Sequence, residues 1–210
     1  MSYAAGAGDA FAFSQLGAVF TANMTGSLVL AGLTSQPAYG ALLSGTATTL
    51  GAFLLAVYTA SRVAPKRPVP NWRGIVGVLW AVVALNVALL VMVCVSPHPG
   101  SALRLVMLAA SAAAMGAQTA AAKRYEPASG VTTTFVTGTL TSIAQDAADG
   151  STRYASFRAG LVIMLVLGAL TTSGALFLDL RLGPAVVVVA TAAAALAFPM
   201  HRGPQPGAHR

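Results

Sequence analysis

The side chains able to do chemistry in this 210-residue chain are few, and most lie inside or beside long apolar runs. Asp9 leads them. A carboxylate at membrane depth is costly and usually serves proton or cation coupling; at the interface of a short first helix the same group would merely cap it. A second set flanks two Thr-Gly pairs: Asn23, Thr25 and Gly26 near the start, and Thr133, Thr137 and Gly138 further on. Where a membrane helix breaks, freed carbonyls, hydroxyls and an exposed helix N-terminus can bind an anion or a small polar solute. Equally, the hydroxyls can satisfy the broken backbone while the glycines allow close helix packing. Gln118 sits late in an apolar run and Asn86 near the middle of another. Both are read first as interhelical hydrogen-bond partners and second as ligands of a polar path. Asp146 and Asp149 stand near Arg153 and Arg158, as an ion-pair cluster at the membrane rim or, if that end is buried, as a relay through Asp146.

Several function classes find no support in these residues. There is no His/Cys or His/Asp constellation, no paired intramembrane carboxylate and no metal-ligand spacing among the three histidines, so neither an enzyme nor a metal or cofactor site is expected. Lys66 and Lys123 sit at the ends of apolar runs, where neither can serve a Ser/Lys dyad at depth. The single cysteine, Cys94, can form no internal disulfide. The net charge of +7 comes from short loops between apolar runs, which topology and lipid headgroups explain without nucleic acid. The N-terminus carries Asp9 early and has no basic leader region, so it does not read as a cleaved signal peptide.

The elements that must position these residues follow from hydropathy. Only 8% of the chain is charged and 56% is apolar, whereas a soluble domain is about a quarter charged. Residues 41–61, 74–95, 105–122, 159–178 and 183–199 are uncharged runs of roughly the length that crosses a hydrocarbon core of about 30 Å. Two further segments fit less well. Residues 4–35 would make a helix about 48 Å long, too long for one crossing, and 21–27 (TANMTGS) offers the break. Residues 131–147 hold six threonines and make a poor lipid-facing span. Each of the two is read as containing a short or half-crossing helix lodged against its neighbours, since irregular backbone at depth needs protein or water to satisfy it. Charge asymmetry then favours six crossings over seven. With both termini cytoplasmic, ten of the twelve basic residues fall on one side and only Arg104 and Arg181 on the other. The expected fold is an all-α polytopic membrane domain over 1–200 with a disordered cytoplasmic tail over 201–210.

The two awkward segments also resemble each other. Setting 19–28 over 131–140 gives five identities in ten positions, at Val19/Val131, Thr21/Thr133, Thr25/Thr137, Gly26/Gly138 and Leu28/Leu140. Gly6 and Ala10 fall over Gly116 and Ala120, and Leu50-Gly-Ala52 matches Leu167-Gly-Ala169. Halves of roughly 1–98 and 99–200, each with three crossings and one half-element, would be inverted relative to each other. That arrangement recurs in transporters. The expected function is a permease or channel-like protein for a small polar solute or ion, and the competing expectation is a non-transporting protein of partner assembly or lipid interaction.

The stretches GAGDAFAFSQLGAVFTANMTGSLVLAG and GAQTAAAKRYEPASGVTTTFVTGTLTSIAQD resemble the signature segments of the YoaK-like family, bacterial multi-pass membrane proteins grouped as a domain of unknown function. The resemblance runs over nearly the whole chain and implies one domain in the bacterial inner membrane, with no activity attached. Two departures are Ser27 and Thr119, where the family pattern often has Asn. The apolar stretch before the Gly-x-x-Asp motif is also shorter than is usual there, so a shortened first span or a truncated start is expected.

Overall fold

The computed structural model describes residues 1–65, 72–125, 136–150 and 154–198, and among them every regular element is an α-helix. The order is α1 (Ser2–Gln15), α2 (Met24–Gly32), α3 (Tyr39–Val63), α4 (Trp72–Val95), α5 (Ser101–Tyr125), α6 (Val136–Ala148), α7 (Ala155–Leu178) and α8 (Leu182–Ala197). Four of them, α3, α4, α5 and α7, are long and apolar enough to cross a membrane. Each has 24 or 25 residues, about 36–38 Å of helix. The run 183–199 becomes a helix of only 16 residues, and α1 has 14. Thr133 and the tail over 201–210 lie outside the described residues.

α1 and α8 both touch α5 or α4 in a ring ordered α1, α5, α4, α8, with α8 closing back on α1. α3 lies along α5, α7 lies along α1, and the short α2 and α6 rest on α3 and α7 respectively. Directions follow from side-chain contacts. A Cβ on Gly45 would meet Leu108, one on Gly116 would meet Phe53, and Arg124 reaches the Ser61 carbonyl, so α3 and α5 run parallel. Gln118 donates to the Met1 carbonyl while Met115 lies over Gly8, so α1 runs against α5. Gly6 meets Leu165, and further along Phe11 and Leu176 meet at Gly183, so α1 and α7 are parallel.

Small residues make these approaches possible. A methyl on Gly6 would overlap the carbonyl oxygen of Leu165, one on Gly168 would overlap that of Tyr3, and one on Gly116 that of Phe53. With lipid outside and protein inside equally apolar, van der Waals contact between backbones is what holds membrane helices together. The close α1–α7 seam is reinforced by a hydrogen bond of 2.6 Å between Tyr3 Oη and Thr171 Oγ1. Large apolar side chains also point outward: Leu54, Leu55, Leu170 and Val189 are all more than half exposed, as lipid-facing positions would be.

The first break falls earlier than the sequence suggested. α1 ends at Gln15, Gly17 and Ala18 take positive φ (121° and 57°), and α2 begins at Met24. Thr25, Gly26 and Ser27 therefore form the first turn of α2 and are not the break itself. The reason is local: Asn23 is the N-cap of α2, its Oδ1 accepting the Gly26 N–H at 3.2 Å, so the polar run TANMTGS starts a helix instead of interrupting one.

Candidate functional site

Asp9 lies just past the middle of α1, and the returning chain folds against it. Its Oδ1 accepts the backbone N–H of Thr21 at 2.7 Å, that of Ala22 at 2.7 Å and the Thr21 hydroxyl at 3.3 Å. Its Oδ2 accepts the Asn23 N–H at 3.0 Å. Three consecutive amides thus converge on one carboxylate, in the manner of a helix N-terminus binding an anion, with the anion supplied by the preceding helix. Asp9 does not cap its own helix: its carboxylate serves the backbone ahead of α2.

Thr21, fully buried, extends the site to α5 by accepting the Ser111 hydroxyl at 3.2 Å. Ser111 is the eleventh of the 25 residues of α5, near the middle of a helix of membrane-crossing length. The break therefore sits at mid-depth in the bundle. Ser27 closes the hook: its hydroxyl donates to the Phe20 carbonyl at 2.9 Å and accepts the Phe20 N–H at 3.2 Å. Phe20 stacks on Phe13 with ring centroids 4.9 Å apart, pinning the two sides of the loop. Val19 packs at Gly45 of α3 beside Leu108 of α5.

The sequence candidates divide accordingly. Asp9 and Asn23 come together, with Gly26 beside them, because a larger residue at 26 would press on Phe20 and Asn23. Thr25 is exposed on the outer side of α2. Gln118 is buried about two turns before the end of α5, tied to Met1, and is not at the break. Thr137 and Gly138 are exposed near the start of α6, and the segment ahead of them, including Thr133, lies outside the described residues. Asn86 is buried, donates to the Val82 carbonyl at 3.0 Å, and leaves its Oδ1 without a partner among the described residues. Arg158 pairs with Asp146, and no other ion pair is present among the described residues. Thr21, Ser27 and Ser111 were not singled out as site residues. Their signal was present for Thr21 and Ser27, which lie in the polar run, but a lone serine in an alanine-rich helix gave none for Ser111.

Two apolar grooves lie on the surface of the described residues. One, of about 470 Å³, runs between α3 and α4 over a floor of Ala109, Ala113 and Ala117 on α5. The other, of about 600 Å³, lies between α7 and α8 beside Met1, Tyr3 and Ala4 of α1. Neither holds a charged side chain among its lining residues.

Comparison with known proteins agrees with the resemblance read from the two signature stretches. Residues 1–199 match the family model described as "Protein of unknown function (DUF1275)". The chain is 33% identical over 142 residues to the UPF0700 transmembrane protein YoaK of Bacillus subtilis (strain 168). That alignment takes in 68% of this chain and 62% of the relative, so the chain spans less than two thirds of the length of the protein it matches. No solved structure matches the chain.

Proposed function

The chain belongs to the DUF1275 family of transmembrane proteins of unknown function, and we propose that it is a permease or channel-like protein for a small polar solute or ion, not an enzyme. The observation that carries this reading is the mid-depth break held by one carboxylate. Unwound backbone and a buried acid at depth mark solute and ion pathways in membrane proteins far more often than they mark packing. Because a negative charge gathers the three amides, a proton or cation arriving at Asp9 would loosen the loop and open the seam between α1, α3 and α5. The Oδ2 side, with its single bond to Asn23, is where such an ion would arrive.

The proposed architecture is six crossing helices and two half-crossing ones, α2 and α6, arranged as an inverted repeat. The helix contacts support it. Exchanging each of α1–α4 with the helix four places later turns α3·α5 into α7·α1, α4·α5 into α8·α1, α2·α3 into α6·α7 and α3·α4 into α7·α8, all of which are contacts in the bundle. The antiparallel run of α1 against α5 gives the exchange its inverted sense. The two grooves exchange as well, α3–α4–α5 with α7–α8–α1. Charge supports the orientation: among the described residues Arg62, Arg73, Lys123, Arg124 and Arg158 lie toward one end of the bundle, and Arg104 and Arg181 toward the other. The proposed orientation has both termini on the cytoplasmic side of the bacterial inner membrane, and reporter fusions after residues 66 and 205 are expected to report cytoplasm. A periplasmic report from the second fusion would overturn the six-crossing count.

Replacing exposed Cys94 with Ser provides a cysteine-free background. In it, single cysteines at 25, 27, 137 and 139 are expected to react with a membrane-impermeant thiol reagent, those at 27 and 139 only in some conformational conditions, since Ser27 and Thr139 are buried here. Protection of all four positions in every condition would sink the permease reading. It would leave a non-transporting membrane protein, which the apolar lining of both grooves favours.

A further inference from the structure

The two grooves have like positions in the two halves but unlike ends, and the difference lies in charge. In the α3–α4–α5 groove the lining follows helical stripes: Ala56 and Ala60 on α3, Gly77 and Ala81 on α4, Ala113 and Ala117 on α5. Each stripe runs on into a cation. Arg62 is three residues past Thr59, which also lines the groove; Arg73 is four residues before Gly77; Arg124 is seven residues past Ala117. Spacings of three, four and seven keep residues on one helix face. Arg62, Arg73 and Lys123 are exposed, and Arg124 is half-buried, reaching the Ser61 carbonyl at 3.5 Å between the ends of α3 and α5. The Arg62 guanidinium lies 6.0 Å from the centre of the Tyr58 ring, which holds it near the groove mouth and leaves its N–H fork free to meet an anion. None of the four pairs with an acid among the described residues. At the corresponding end of the other groove, the turn between α7 and α8 carries Asp179 with Arg181, which brings no excess of positive charge.

We propose that the groove between α3 and α4 is a binding site for an anionic phospholipid, one acyl chain lying on the alanine floor of α5 and the phosphate held by Arg62, Arg73, Lys123 and Arg124. An apolar groove in a membrane that no protein covers is filled by lipid. The basic mouth is what makes this one selective, since each cation near a membrane surface adds attraction for an anionic headgroup. The site is independent of solute movement and stands whether or not the protein is a permease.

Both tryptophans, Trp72 and Trp80, lie on α4, and exposed Trp80 adjoins the groove residue Ala81. Quenching of their fluorescence by brominated acyl chains therefore reads occupancy. The full chain would be reconstituted in phosphatidylcholine vesicles containing increasing fractions of either dibrominated phosphatidylglycerol or dibrominated phosphatidylcholine. The expected result is a preference of roughly tenfold for the anionic quencher. Combining Arg62→Gln, Arg73→Gln and Arg124→Gln is expected to bring that preference below about twofold, while Arg104→Gln with Arg181→Gln leaves it intact. Arg73→Gln alone, should the triple variant fail to fold, is expected to lower it about twofold. Equal quenching by the two lipids in the wild-type chain, or an unchanged preference in the variants, overturns the proposal. So does weak quenching by both lipids together with cross-linking between copies through a cysteine at position 81, which would show a second copy seated in the groove.

Discussion

Asp9→Ala is expected to lower the unfolding temperature of the detergent-solubilised protein by roughly 10 °C, the largest effect of any side-chain truncation at the break. The substitution leaves the N–H groups of Thr21, Ala22 and Asn23 without their acceptor, and strips the Thr21 hydroxyl of one partner. Thr21 is fully buried and Ala22 half-buried, so water cannot take over there, whereas the exposed Asn23 amide loses less. A buried donor left unpaired costs about 1–3 kcal/mol, which puts the total at roughly 3 kcal/mol. Asp9→Asn keeps one carbonyl oxygen in place and should retain about half of the stability lost in the alanine variant. Thermal unfolding followed by helical circular dichroism gives the comparison. A shift under about 2 °C for Asp9→Ala would mean that the loop holds its shape without the carboxylate, and the mid-depth site would lose its anchor.

The second large effect belongs to the α1–α7 seam. Gly6→Ala and Gly168→Ala each place a methyl against the backbone of the opposing helix, at Leu165 and Tyr3 respectively. A flexible side chain could swing aside, but a carbonyl cannot, so the helices must separate and the Tyr3–Thr171 hydrogen bond must lengthen. Overpacking of this kind costs about 1–3 kcal/mol, and each substitution should stand at or above the upper end of that range. Gly51→Ala and Gly174→Ala make matched controls, because a methyl at either meets no described atom within 4 Å. They should be neutral, or stabilising by up to about 1 kcal/mol through helix propensity. If the seam and control variants melt alike, close backbone packing is not what binds α1 to the bundle.

The sequence disclosed the scaffold through hydropathy, since long uncharged runs have little other use, and α3, α4, α5 and α7 match four of the five runs. It disclosed Asp9 through cost: a carboxylate in an apolar segment calls for an explanation. What hydropathy could not convey was where the chain turns. The polar run after Val19 looked like the break, yet one asparagine able to cap a helix and one distant carboxylate able to gather three amides moved α2 forward and placed Thr25 on its outer face. Both interactions depend on geometry between residues twelve or more apart in sequence or on a cap, which no hydropathy window registers. The stripe of alanines on α5, at four-residue spacing, is a pattern that permits close helix packing. Its neighbour Gly116 does pack closely on α3, while Ala109, Ala113 and Ala117 floor an open groove. Small residues permit close approach, and where no helix arrives they leave a trough.

The shortness of α8 has a consequence for the bilayer itself. Its 16 residues span about 24 Å, against about 36 Å for the 24 residues of α4, on which it packs. If α8 crosses, lipid must thin by several ångströms along that flank while keeping its ordinary depth beside α3 and α4. The protein would then sit on a thickness gradient of its own making, at a cost of fractions of a kcal/mol per ångström of mismatch. Such a molecule should partition toward thinner membranes, and its stability should rise as the acyl chains of the surrounding lipid are shortened.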